Sequence, residues 1–70
     1  MNVVIIGAGE VGTSIAASLA AGHDVVVIDV DPDRTEELKY EHDVLTVAGD
    51  GTASEIQESA NVPNADMVIA

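Results

Sequence analysis

An α/β architecture, with a parallel sheet of four strands between layers of helix, is predicted by three features of this 70-residue sequence. Short β-branched runs alternate with stretches of helical periodicity, which implies parallel pairing through crossover helices. A GxGxxG motif falls between the first such run and the first helical stretch. The apolar 47% of the chain is mainly Val, Ile and Ala, with one Tyr and neither Phe nor Trp, a composition suited to a sheet covered on both faces.

Asn2 to Ile6 is an apolar run ending at a glycine and reads as the first strand. From Glu10 to about Ala20, Val11, Ile15 and Leu19 recur every four residues with Ala16 and Ala17 between them, predicting a helix with one apolar stripe. Gly22 ends it. Val25 to Ile28 repeats the strand signature. Asp31 before Pro32 supplies an N-cap and a first-turn proline for a mostly polar surface helix to about Tyr40. Val44 to Ala48 is the third strand, leading into Gly49-Asp50-Gly51-Thr52. Thr52 then caps a short helix through about Ala60, with Glu55 completing a capping box. Asn61 to Ala65, containing Pro63, is a turn, and Met67 to Ala70 is the fourth strand.

Right-handed crossovers give the spatial order third, second, first, fourth, with the first two helices on one face and the third on the other. That is a Rossmann-type, three-layer arrangement amounting to half of a doubly wound domain. The fourth strand has no helix after it, so residues 1–70 are expected to be the N-terminal half of such a domain, cut short after that strand. One thinly covered face and an open strand edge follow, and both favour a homodimer or larger homo-oligomer.

The glycine spacing alone is a weak signal, but its place between strand and helix gives each glycine a task. Gly7 allows the tight turn, Gly9 lets a pyrophosphate approach the backbone, and Gly12 lets the helix pack on the strand. The backbone of Ala8, Glu10 and Val11 completes the phosphate-facing turn at the helix N-terminus. Asp29, about 20 residues after the motif at the end of the second strand, is placed to accept hydrogen bonds from both ribose hydroxyls of an adenosine, with Val30 beside it. A 2′-phosphate would meet its charge and that of Asp31, so NAD or another nucleotide with a free 2′-hydroxyl is favoured over NADP. Asp31 has the competing role of helix cap. Gly49, Asp50, Gly51 and Thr52 reach the same rim and either line the adenine or simply turn the chain toward the next helix.

Thirteen acidic and only two basic residues give a net charge of −11, which excludes a nucleic-acid backbone or an anionic membrane surface as partner. Such repulsion is screened within about 3 Å at 1 M salt, and points to a salt-rich cytoplasm. Absence of cysteine removes disulfides, thiolate nucleophiles and cysteine metal sites. No apolar run approaches the roughly 20 residues that span a bilayer, and no signal-like segment is present, so a cytoplasmic location is expected. His23 and His42 lack further ligands and read as turn residues rather than a metal site. None of the serines has a basic partner nearby, so no catalytic residue is assigned.

Taken together, the strand-GAGEVG-helix opening, HDVVVIDVDPDR, and VAGDGTASEIQESANVPNADMVIA resemble the RCK or KTN domain of the TrkA-N type, a family that includes the Trk-type potassium uptake regulators. The opening is shared with many dehydrogenases. The Gly49-Asp50-x-Thr52 turn and Ala65-Asp66-x-Val68-Ile69-Ala70 are more specific, although the family often has alanine where this chain has Gly51. The resemblance implies a non-catalytic cytoplasmic domain that binds NAD(H) or ATP/ADP, assembles with copies of itself, and regulates a membrane potassium transporter or channel. By position, Gly7, Gly9 and Gly12 would meet phosphates, Asp29 the ribose, and Asp50 with its neighbours the adenine side. The rival reading of the glycine turn is the N-terminal half of an NAD-dependent dehydrogenase, with its acid-base residues beyond Ala70.

Overall fold

The β-branched runs pair side by side, all in parallel. A computed structural model describes residues 1–50, 54–59 and 62–69. Along the chain come β1 (Asn2–Ile6), α1 (Glu10–Ala20), β2 (Asp24–Asp29), α2 (Pro32–Glu41), β3 (Leu45–Ala48), α3 (Ser54–Ser59), a 3₁₀ turn (Val62–Asn64) and β4 (Met67–Ile69). The sheet order is β3-β2-β1-β4, the Rossmann-type order predicted from the alternation of elements. Val4 lies beside Val26 and Val68, Ile6 beside Ile28, and Asp29 beside Ala48, so the carboxyl ends of β1, β2 and β3 share one rim.

Strand alternation sends successive side chains to opposite faces, and both faces are used. Val3, Ile5, Val25 and Val27 pack with Ala16 of α1 and Leu38 of α2. Val4 and Ile28 pack on the other face with Ile56 of α3 and Ala65. The central side chains Val3, Val4, Ile5, Val27 and Ile28 are all below 2% exposed or at that value. Each such burial stabilises the fold by about 1.5–3 kcal/mol before chain entropy is set against it. The third-helix face is the thinner one: Leu45 and Val68, at its two outer strands, stay 69% and 46% exposed.

Helix ends follow local chemistry. Asp31 accepts the Asp33 N–H at 2.9 Å and Pro32 occupies the first turn, as predicted for α2. Although that helix is mostly polar, Thr35 and Leu38 are buried and supply its inner face. Ala21 stays right-handed at the end of α1, and the N–H groups of Gly22 and His23 both donate to the Leu19 carbonyl. Gly22 therefore follows the helix end without a left-handed backbone.

Three details differ from the expectations. Val11 was placed on the apolar stripe of α1, yet it is 73% exposed while Ile15 and Leu19 pack on the core; the first turn of the helix stands at the rim, where a surface groove opens beside it. β2 is longer by one residue at each end, and β3 begins at Leu45 because Val44 instead donates to the His42 carbonyl at 3.0 Å. The expected capping box of Thr52 and Glu55, and the ends of α3 and β4 at Ala60 and Ala70, lie outside the described residues.

Candidate functional site

The rim is organised around one carboxylate. Asp29 ends β2 with its side chain 7% exposed, on the same face as Val25 and Val27 by strand alternation. Its Oδ2 accepts the Ala8 N–H at 2.7 Å and its Oδ1 accepts the Asp31 N–H at 2.8 Å. One side chain thus joins the glycine turn to the start of α2. The Asp29 carbonyl also accepts the Gly49 N–H at 2.8 Å, and the Ile28 carbonyl accepts the Gly7 N–H at 2.7 Å. Gly7, Ala8, Asp29, Asp31 and Gly49 are therefore held together by six main-chain atoms, the Ile28 carbonyl oxygen among them, and one carboxyl group.

Those two N–H donors hold the Asp29 carboxyl below its ordinary value of 3.8, the Ala8 contact most strongly and the Asp31 contact next; burial opposes them, and the Arg34 charge adds to the lowering. A carboxyl with a depressed pKa stabilises the fold above its unfolded pKa and loses that contribution as pH falls through the folded value. The contribution is therefore complete at neutral pH and lost only in the range below 3.8. Asp29→Ala should cost about 1–3 kcal/mol, since it leaves the buried Ala8 N–H unpaired. Urea melts at neutral pH and at acid pH test this: the gap between wild type and variant should narrow on acidification, and a constant gap would place the effect elsewhere.

The glycines of the turn differ in what demands them. Gly7 has φ +109°, a backbone that side-chain-bearing residues rarely adopt. A Cβ on Gly12 would overlap the Gly7 carbonyl oxygen and come within 3.5 Å of Ile5 Cγ2. Gly9 is constrained by neither: its φ is −71°, and a Cβ there would meet nothing within 4 Å. It is the N-cap of α1 but provides no side-chain cap. The N-terminus of α1 thus points its N–H groups outward with no side-chain acceptor from its own cap residue.

Two grooves flank the turn. One, about 350 Å³, lies toward α2 and includes Glu10, Glu37 and Glu41 in its walls. The other, about 340 Å³, runs toward β4 between Ile6, Val11, Ile15 and Ile69, and Glu10 is its one charged wall residue. An anion over the helix N-terminus is repelled by three carboxylates on the first side and by one on the second. A further groove, about 430 Å³, lies at the opposite end of the strands near Met1, Gly22 and Asp43. It has no glycine turn and no open helix N-terminus, so chemistry rather than size places the candidate site at the rim.

Among the other predicted residues, Val30 is 72% exposed beside Asp29, and Asp50 is exposed just past Gly49. A Cβ on Gly49 would run into the Ile56 side chain, so this glycine is needed where α3 docks. Gly51 and Thr52 lie outside the described residues. His23 is exposed and His42 half-buried at the end of α2. Sequence reasoning missed the Asp29–Ala8 bond and the Thr13 hydroxyl, which donates to the Ala8 carbonyl at 3.1 Å. Arg34, one turn into α2, brings its guanidinium 3.8 Å from both Asp29 Oδ2 and Asp31 Oδ2. The only sequence signal for that was the spacing: residues 31 and 34 are one helical turn apart.

A parallel sheet of order β3-β2-β1-β4, a glycine turn opening α1, and an acidic residue closing β2 define the Rossmann-type class of nucleotide-binding folds. Comparison with known sequences narrows the class. The TrkA-N domain family matches residues 3–70, and the chain belongs to that family. It is 42% identical to the Trk system potassium uptake protein TrkA of Halomonas elongata, and the match covers the whole chain but 16% of that protein. It is 38% identical to the Trk system potassium uptake protein TrkA homolog of Pyrococcus abyssi, again over the whole chain and 31% of that protein. A TrkA homolog 1 of Methanosarcina mazei is 47% identical over the whole chain and 17% of its own length. The chain thus spans less than a third of the length of these relatives.

Proposed function

We propose that this chain is a regulatory nucleotide-binding domain, binding NAD(H) or, second to it, ATP/ADP at the rim, and that through such binding it controls potassium uptake by a membrane transporter. The observation that carries the nucleotide reading is Gly9. Neither the backbone nor packing requires glycine there, and Ser, Thr, Asp or Asn would cap α1 better. A ligand that must approach the main chain closely supplies the missing reason, and the N–H groups of α1 select an anion.

Asp29 fits the ribose end. Each of its oxygens accepts one N–H from the chain, which leaves further acceptor capacity on each for a pair of ribose hydroxyls. Its depressed pKa keeps it an acceptor throughout the physiological range. Asp29, Asp31 and Arg34 carry a net charge of −1 among them, which disfavours a 2′-phosphate. From Asp29, phosphates laid across Gly7, Ala8, Gly9, Glu10, Val11 and Gly12 would run toward β4, away from Glu37 and Glu41. Val30, Gly49 and Asp50, with Gly51 and Thr52 following, stand on the adenosine side.

The role in potassium uptake is supported by the names of the three relatives and by membership of the TrkA-N family. A cytoplasmic position beside a membrane transporter subunit, and assembly as a homodimer or larger ring, belong to the same reading. Exposed Leu45 and Val68 on the thin face support self-association.

Isothermal titration of the chain with NADH, NADPH, ATP and ADP in concentrated potassium chloride tests the proposal, with sedimentation of the same samples reporting assembly. Binding of NADH, ATP or ADP in preference to NADPH is the expected result. A folded chain that binds none of the four would remove the nucleotide reading.

A further inference from the structure

Thr13 stands near the start of α1, and its hydroxyl departs from the usual habit of a helical threonine. Within a helix that group bonds a carbonyl of its own helix, three or four residues back. Here it donates to the Ala8 carbonyl at 3.1 Å, five residues back and outside the helix. The backbone ladder of α1 begins with the Thr13 N–H donating to the Gly9 carbonyl at 2.8 Å. The N–H groups of Gly9, Glu10, Val11 and Gly12 precede that ladder and take no part in it. Ala8 is held through both of its peptide units. Asp29 Oδ2 accepts the Ala8 N–H at 2.7 Å and so fixes the Gly7–Ala8 unit, while Thr13 fixes the Ala8–Gly9 unit. A trans peptide carries its C=O and N–H on opposite sides, so with the Ala8 carbonyl drawn to Thr13 the Gly9 N–H faces the other way.

We infer that Thr13 is a positioning residue for the phosphate end of the site, its hydroxyl fixing the Ala8–Gly9 peptide so that the Gly9 N–H is already aimed when a phosphate arrives. The inference rests on the nucleotide reading above. Gly9 has no side chain to hold its backbone, and a Cβ there would meet nothing within 4 Å, so the peptide before it takes its direction from the bond between Ala8 and Thr13. Glycine gives up more conformational freedom on ordering than any other residue. A hydrogen bond that orders it beforehand removes that cost from the binding step. Thr13 touches no ligand in this scheme and acts through the peptide alone. The ribose end is held separately, by the Asp29 carboxylate and the Gly7–Ala8 peptide, so the two ends of the site answer to different side chains.

Adenosine reaches only the ribose end, whereas ADP and NADH also carry phosphates, and the affinities of the three for the full chain and its variants give the test. Amide chemical shifts follow the titrations, since they read weak binding as well as strong. Thr13→Val removes the hydroxyl and keeps the β-branched shape. It should weaken ADP and NADH by about fivefold to tenfold, the cost of ordering one residue of backbone at the moment of binding, and leave adenosine at its wild-type affinity. Thr13→Ser returns a hydroxyl and should restore ADP and NADH. Thr13→Ala, with a better helix former, repeats the test should the valine variant fold poorly. Equal weakening of all three ligands would make Thr13 a purely structural residue and overturn the positioning role, as would wild-type affinities for ADP and NADH in Thr13→Val. Both of those outcomes leave the nucleotide site standing. A wild-type chain that binds none of the three would overturn the nucleotide reading and this inference with it.

Discussion

Replacing Gly12 by alanine is expected to lower the melting temperature of this chain by of the order of 10 °C. Two effects oppose each other. Alanine is the better helix former by at most about 1 kcal/mol, and less in the first turn, where Gly12 stands. Against this, the new Cβ would overlap the Gly7 carbonyl oxygen and press toward Ile5 Cγ2. The obstructing atom is backbone, locked through the Gly7 N–H to the Ile28 carbonyl at 2.7 Å, so it has no rotamer through which to escape. Overpacking of this kind costs about 2–3 kcal/mol at the upper end of its usual range. The net loss is then about 1–2 kcal/mol, and each kcal/mol is worth roughly 4–8 °C in a domain of this size. Calorimetry or thermal circular dichroism reads the result. An unchanged or raised melting temperature would mean that α1 does not rest on the turn as closely as the geometry requires.

The Gly9→Asp variant should behave in the opposite sense, with stability held or slightly raised and nucleotide binding weakened by roughly 100-fold or more, equivalent to about 2.7 kcal/mol. Gly9 already has N-cap geometry, with φ −71° and ψ −175°, and open space where a Cβ would be. Aspartate there can accept an N–H of α1 and places a negative charge at the positive end of the helix, each a small gain for the fold. The same carboxylate occupies the place of the proposed phosphates and repels them. Melting and titration of one sample separate the two effects. Retained affinity in a stable variant would move the phosphates off the α1 N-terminus; lost stability would show that Gly9 answers a structural demand after all.

The contrast between these two glycines shows where sequence reasoning reached its limit. GxGxxG spacing assigned distinct tasks to Gly7, Gly9 and Gly12, and the strand-turn-helix context made them credible. Spacing alone does not say which glycine is held by backbone conformation, which by a neighbour, and which by neither. That difference depends on what lies across from each Cα, and the neighbour of Gly12 is the carbonyl of Gly7, five residues earlier. The docking of α3 was equally hidden, because the contact of Ile56 with Gly49 joins residues that have no common periodic pattern. Val11 misled for a related reason: a stripe of residues four apart identifies a helix face, but does not tell how far the sheet beneath it extends.

Order and type of the elements, parallel pairing, the two-sided core and the rim at the strand ends were determined by the sequence itself. β-branched runs, glycine punctuation and the Asp31-Pro32 cap are local causes, and local causes can be read along the chain. Tertiary structure alone decided what Asp29 does for the fold. Its place at the end of β2 marked it as a ribose acceptor, but its bond to Ala8 arises only when β1 and β2 lie side by side, whereas its bond to Asp31 and the place of Arg34 near both carboxylates are set within residues 29 to 34. Hydrogen bonds and charges act over a few ångströms of space irrespective of sequence separation, so the separation of 21 positions from Ala8 to Asp29 conceals a contact that the folded sheet makes unavoidable.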